Sequence, residues 1–164
     1  MHRRSGAPVA LHTADAALAR SGQNGILAPT SAVGRLIRPF VDEPFEAFEP
    51  DIFFTAGFSL EPYGVRGRVM ATPGHTTGSA SVVLASGEAL IGDVLRGSLL
   101  VPNRAAPNFF CNHPEANARS IVRLAREGLL RCHPGHFGSF PGSELGRFLT
   151  TGTGEVLELS SEPA

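Results

Sequence analysis

The sequence contains no lysine, and all fourteen of its basic residues are arginine. The arginines are scattered along the chain, so we read the missing lysine as a coding bias. No basic stripe marks out a nucleic-acid partner. Fifteen acidic residues leave a formal net charge of −1 and a pI near 6.6, which removes any electrostatic pull toward nucleic acid or an anionic membrane. There are two cysteines, Cys111 and Cys132, too few for a disulfide framework. No secretory signal precedes them, because "APVALHTAD" is too short and polar to be a signal core. No apolar run approaches the length of a membrane span. The expectation is a soluble, cytoplasmic protein that acts on a small molecule. No internal repeat is visible.

What is present suits one globular domain over residues 1–164, with 42% hydrophobic and 18% charged residues. Nineteen glycines and thirteen prolines punctuate the chain, which predicts short strands and turns. "APVALH" reads as a strand, and "TADAALARSG" as a helix with Thr13 as cap and Gly22 as stop. A short helix follows within residues 30–41 and ends at Pro39; acidic, proline-broken "DEPFEAFEPD" is then a solvated connector. Period-two patterning predicts strands in "FSLEPYG" and "VRGRVMAT", then a hairpin of "SASVVLAS" and "ALIGD" turning at Gly87 and Glu88. Residues 96–112 have no period and read as a long loop. The next helix is capped at His113, with Pro114 in its first turn and Gly128 at its end. Ala118, Ile121, Val122, Ala125 and Leu129 recur on its sheet-facing side. "LLRC" predicts a further strand, "SELGRFLTT" a last short helix, and "EVLELSSEPA" a strand and a frayed end. Strands and helices in this order argue for a layered α/β (α+β) architecture.

Three turns that follow strands carry ligand-type side chains: His75 in "TPGHT", Asp93 in "IGDV" and His136 in "HPGHF". Glycine and proline hold tight turns, so a side chain between them is rigidly presented. Imidazole and carboxylate are the usual zinc ligands outside thiolate sites. Asp93 also ends an apolar run, where a buried carboxylate is costly unless something compensates it. Taken singly, a histidine in a turn is an ordinary surface residue, and an aspartate after a strand is often a helix cap. The matching Pro-Gly-His contexts at 73–75 and 134–136 tip the balance toward a shared site. His113 is better explained as a helix cap, and Cys132 has no partner cysteines for a zinc finger.

With these motifs the chain resembles the metallo-β-lactamase-fold hydrolases. "TPGHTTGS" is similar to their third metal-binding motif, "ALIGDVL" to their Gly-Asp motif and "HPGHFG" to their closing histidine motif. The resemblance implies an αββα sandwich with metals at one edge. It implies His75 on a first metal, Asp93 bridging two and His136 on a second, with His75 and Asp93 also in the catalytic set. It further implies two zinc ions, or iron or manganese, and a metal-activated water that attacks an ester, thioester, lactone, amide or phosphoester. Arg96, Phe109, Phe110, His133 and Phe137 are candidate substrate-lining residues. Phe137 stands where many relatives have glycine and is expected to narrow the pocket.

The family's H-x-H-x-D-H segment, which supplies four ligands, does not occur in the sequence; His12 and Asp15 do not match its spacing. Part of the N-terminal layer is therefore expected to be missing and the C-terminal layer complete. Metal binding and activity of the chain alone should be weak, and uncovered sheet surface should favour a homodimer or aggregation. The other reading is a non-catalytic remnant that serves as an interaction or dimerisation module. An in-frame H-x-H-x-D-H in the codons upstream of Met1 would separate the two.

Overall fold

Residues 6–41 and 43–149 are described by a computed structural model. The strand expected in residues 155–164 and the end of the helix expected at 150–151 lie outside the described residues.

The period-two segments contain strands β3 (Gly57–Ser59), β4 (Gly67–Ala71), β5 (Ala80–Leu84) and β6 (Glu88–Gly92), but most of "FSLEPYG" is not strand: Pro62 and Gly64 turn Glu61–Tyr63 into a 3-10 helix. Strands β5 and β6 form the expected hairpin, with Val82 opposite Leu90 and Val83 opposite Ala89. Alternation decides which face is buried. Ser81, Val83, Ala89 and Ile91 are buried, whereas Leu90 on the other face is half exposed. Two more strands, β9 (Arg131–Pro134) and β10 (Phe140–Pro141), extend the sheet to six in the order β10-β9-β6-β5-β4-β3.

Directions in this sheet set the position of the three motif turns. Strands β4 and β6 are each antiparallel to β5, and β9 is parallel to β6. β4, β6 and β9 therefore run the same way, and their C-terminal ends share one edge. Each motif turn leaves one of those ends.

The longest helix of the described residues, Pro114–Arg126, covers the buried face of the sheet. Proline in its first turn, Glu115 near its positive end and Arg123 and Arg126 near its negative end all suit the helix dipole. Ile121, Val122 and Leu124 are buried, and Ile121 and Leu124 join Met70, Val83, Ile91, Cys132 and Phe140 in one core. Leu124, absent from the predicted face, is fully buried, while Ala118 is only half-buried. The helix starts at the expected position, but His113 forms no side-chain cap; its Nε2 lies 3.1 Å from Thr77 Oγ1. The 3-10 helix Gly142–Phe148 packs beneath, with Leu145 buried in the same core.

The other layer is smaller. Strand β1 (Ala10–His12) pairs in parallel with β2 (Ile52–Phe54), an element the sequence pattern does not disclose. Between them run helix α1 (Ala16–Ser21), helix α2 (Ala32–Ile37) and the connector; the Pro114–Arg126 helix is then α3. Thr13 is not the cap of the first helical segment. The segment opens as a 3-10 turn over Thr13–Asp15, in which the His12 side chain accepts from Ala14 N–H at 3.2 Å. Gly22 does end α1, in a left-handed conformation with φ 68°. The connector is not simply solvated. Phe45 and Phe48 N–H groups donate to the Gly22 and Ala19 carbonyls at 2.8 and 3.0 Å, and Arg20 grips Glu49 through two hydrogen bonds. The long loop expected at 96–112 contains a small antiparallel ribbon, β7 (Arg96–Gly97) with β8 (Ala105–Ala106). Among the described residues no helix is long and apolar enough to cross a membrane.

Candidate metal centre

The turn after β4 is fixed from several sides. Thr72, fully buried, shares a 2.9 Å hydrogen bond with Ser81 on β5. The Ser120 hydroxyl on α3 donates to the Pro73 carbonyl at 2.8 Å, and His113 N–H donates to the Gly74 carbonyl at 2.8 Å. Gly74 lies so close to α3 that a Cβ there would stand 2.4 Å from the Asn117 Cβ, so only glycine fits. His75 follows, with its side chain largely enclosed at 15% exposure. Its Nδ1 is 2.9 Å from the Phe110 carbonyl oxygen. A carbonyl can only accept, so Nδ1 carries the proton and the Nε2 lone pair is left free for a ligand.

That nitrogen faces Asp93. His75 Nε2 is 3.8 Å from Asp93 Oδ2, and His136 Nε2 is 3.6 Å from the other oxygen, Oδ1. The chain thus brings together the three residues that the turns single out. No helix starts after Asp93, so it is not a helix cap. Asn108 holds it instead: one amide Nδ2 donates to the Asp93 backbone carbonyl at 3.0 Å and to Oδ1 at 3.2 Å. Gly135 N–H donates to the Gly92 carbonyl at 2.9 Å and ties the His136 loop to the Asp93 turn. His136 is the most open of the three, at 61% exposure.

Asp15 does not match the spacing of the family's first motif, yet it enters from the smaller layer. Its Oδ2 accepts from Thr76 Oγ1 at 2.8 Å, and its Oδ1 from Gly78 N–H at 3.1 Å. It therefore clamps the turn that carries His75 and joins the two layers at the site. Nothing in the local sequence marks Asp15 or Asn108 for these roles, since both act on residues distant in the chain.

These donors have the chemistry of a divalent-metal site, two imidazoles and a carboxylate whose oxygens diverge toward them. Their number is short. Each Asp93 oxygen has one imidazole beside it, whereas zinc ordinarily takes about three or four protein ligands. Among the described residues no three His, Cys, Asp or Glu side chains converge closely enough to hold an ion. Cys132 offers no thiolate, because burial pushes its thiol up to about 11.

A cavity of about 580 Å³ opens on the three residues. Phe109, Phe110 and Phe137 line it, and so do Phe45 and Phe48 of the connector. Phe137 adopts a left-handed backbone with φ 65°, a conformation that favours glycine, and its ring stands edge-on to Phe109. Two expected lining residues are elsewhere. Arg96 lies behind the wall, its guanidinium 4.1 Å from the centre of the Phe109 ring and 5.7 Å from that of Phe137. His133 alternates with buried Cys132 on β9, so it points to the other face, 3.6 Å from Glu88. A larger, open groove of about 850 Å³ lies at the opposite end of β4, lined by Arg68, Arg123, Arg126 and Glu127, and holds none of the three residues.

No protein-family model matches the sequence, and no curated protein matches it. Solved structures do match the fold. A metallo-β-lactamase family protein from Thermus thermophilus aligns over 84% of this chain and 49% of its own, at 26% identity and a TM-score of 0.55. The B3 metallo-β-lactamase BLEG-1 aligns over 87% of this chain and 64% of its own, at 18% identity and a TM-score of 0.62. A third protein, solved in a di-iron-bound form, aligns over 90% of this chain and 66% of its own, at 19% identity and a TM-score of 0.57. The chain spans between about half and two thirds of the length of these proteins.

Proposed function

We propose, from the metallo-β-lactamase fold as premise, that this chain carries part of a metal-dependent hydrolase centre. In this reading His75, Asp93 and His136 would be this chain's contribution to the residues that hold the metal. The observation that carries it is the divergence of Asp93 Oδ1 and Oδ2 toward two separate imidazoles, at 3.6 and 3.8 Å. When bound, a divalent metal would supply Lewis acidity at this end of the cavity. Zinc is the first choice for these donors, with iron and manganese also compatible.

The chain's own residues supply position. The Phe110 carbonyl fixes the tautomer and orientation of His75, Asn108 holds Asp93, and Asp15 holds the turn between the layers. With two donors per position, the chain alone holds metal weakly and has little activity.

The test is to fuse an N-terminal segment bearing H-x-H-x-D-H and measure bound metal and ester hydrolysis against the unfused chain. Both should rise together, and both should fall again with Asp93→Ala. A fused, folded chain that stays metal-free would refute the reading. A second reading, an interaction or dimerisation module without catalysis, draws on the donor shortage and on Leu90, half exposed on the outer sheet face.

A further inference from the structure

The cavity beside the three residues is lopsided in its chemistry. Its charged and ionisable lining, His75, Asp93, His136 and Asp15, is confined to one end. The rest is mostly apolar, with side chains such as Leu18, Ile37, Phe45, Phe48, Phe109 and Phe137, and its polar members there, Gln23 and Asn24, carry no charge. No arginine lines it among the described residues. The guanidinium of Arg96 is stacked behind Phe109 and Phe137, and its Nε is buried without a hydrogen-bond partner. A cation so placed supports the aromatic wall but offers no open contact to a ligand anion.

We propose that the cavity takes a neutral carboxylic acid derivative with an extended apolar arm, and disfavours phosphoesters and carboxylate-bearing compounds. The arm lies along the Phe45, Phe48 and Phe109 wall, and the acyl group reaches the polar end. Two properties on the page point this way. An anion away from the reacting centre finds no guanidinium or ammonium and meets Asp15 instead, so its desolvation is uncompensated. A volume of about 580 Å³ is far more than an acetyl group needs and falls in the range of small-molecule pockets that bury most of their ligand. The substrate class rests on the reading of the polar end as a hydrolytic centre, but the apolar-arm subsite can be measured without metal.

The experiment is isothermal titration calorimetry of the chelator-treated full chain with straight-chain amides from butanamide to octanamide, and with octanoate as the anionic counterpart. The dissociation constant should fall by about fourfold per buried methylene, and octanamide should bind more tightly than octanoate. Phe45→Asp and Phe48→Asp, both at partly exposed positions (39% and 40%), should each weaken octanamide at least tenfold while circular dichroism stays unchanged. A series flat with chain length, octanoate binding as tightly as octanamide, or folded variants that bind octanamide normally would each overturn the proposal. None of those outcomes bears on metal binding at His75, Asp93 and His136, which the fused-segment experiment tests separately.

Discussion

Asp15 and Phe137 are the two single residues whose chemistry most shapes the site. Asp15 accepts two hydrogen bonds from the turn that holds His75, one of them from a backbone N–H. Replacing it with alanine should cost about 2 kcal/mol in urea unfolding, the usual scale for hydrogen bonds to a charged group. Asp15→Asn, which keeps an acceptor, should lose less. Phe137 sits at φ 65°, where a side chain costs about 1 kcal/mol relative to glycine. Phe137→Gly and Phe137→Ala both lose the ring, so their difference isolates the backbone contribution. The glycine variant should unfold at higher urea, by about 1 kcal/mol. His75, Asp93 and His136 can be picked from sequence because their glycine and proline frames are local. Asp15 cannot, because its partner Thr76 is 61 residues away. Asn108 cannot either, since 15 residues of otherwise unpatterned chain separate it from Asp93.

At the scale of elements, helix α3 and the β5–β6 hairpin are legible, since periods of 3.6 and 2 each mark one buried face. Strand β2 is not. Its three residues, Ile52–Phe54, are too few to show a period, and its parallel pairing with β1 depends on a crossover of about forty residues. The ribbon of β7 and β8 escapes for the same reason, at two residues per strand. Helix α3 also holds the site, through Ser120 on Pro73 and Asn117 donating to the Val94 carbonyl at 3.0 Å. Its anchor is Leu124, fully buried in the core. Leu124→Ala should destabilise the protein by about 3.5 kcal/mol, near the middle of the range for buried leucine truncation, as read by the urea midpoint at unchanged m-value.

For the whole molecule, the core lies between the six-stranded sheet and α3, and the opposite sheet face is covered only in part. Leu90 there is 50% exposed, although it stands in the middle of a strand. The interaction-module reading places a partner over this residue. Self-association should therefore rise with concentration in sedimentation velocity, and Leu90→Gln should reduce it; a monomer at all concentrations, with the variant unchanged, would remove the interaction-module reading. The sandwich as a whole is legible because three ordered motifs carry the resemblance, whereas the exposure of Leu90 depends on contacts that no local pattern encodes.

In the proposed function, Asp93 links two imidazoles into one metal centre. Cobalt(II) titration, followed by its visible absorption in the unmodified chain and in Asp93→Ala, tests it most directly. Binding by the unmodified chain should be weak but saturable. In the variant it should be at least about tenfold weaker, since even changes outside a metal's own ligands cost that much. Titration curves that superimpose, with the variant folded, would contradict it.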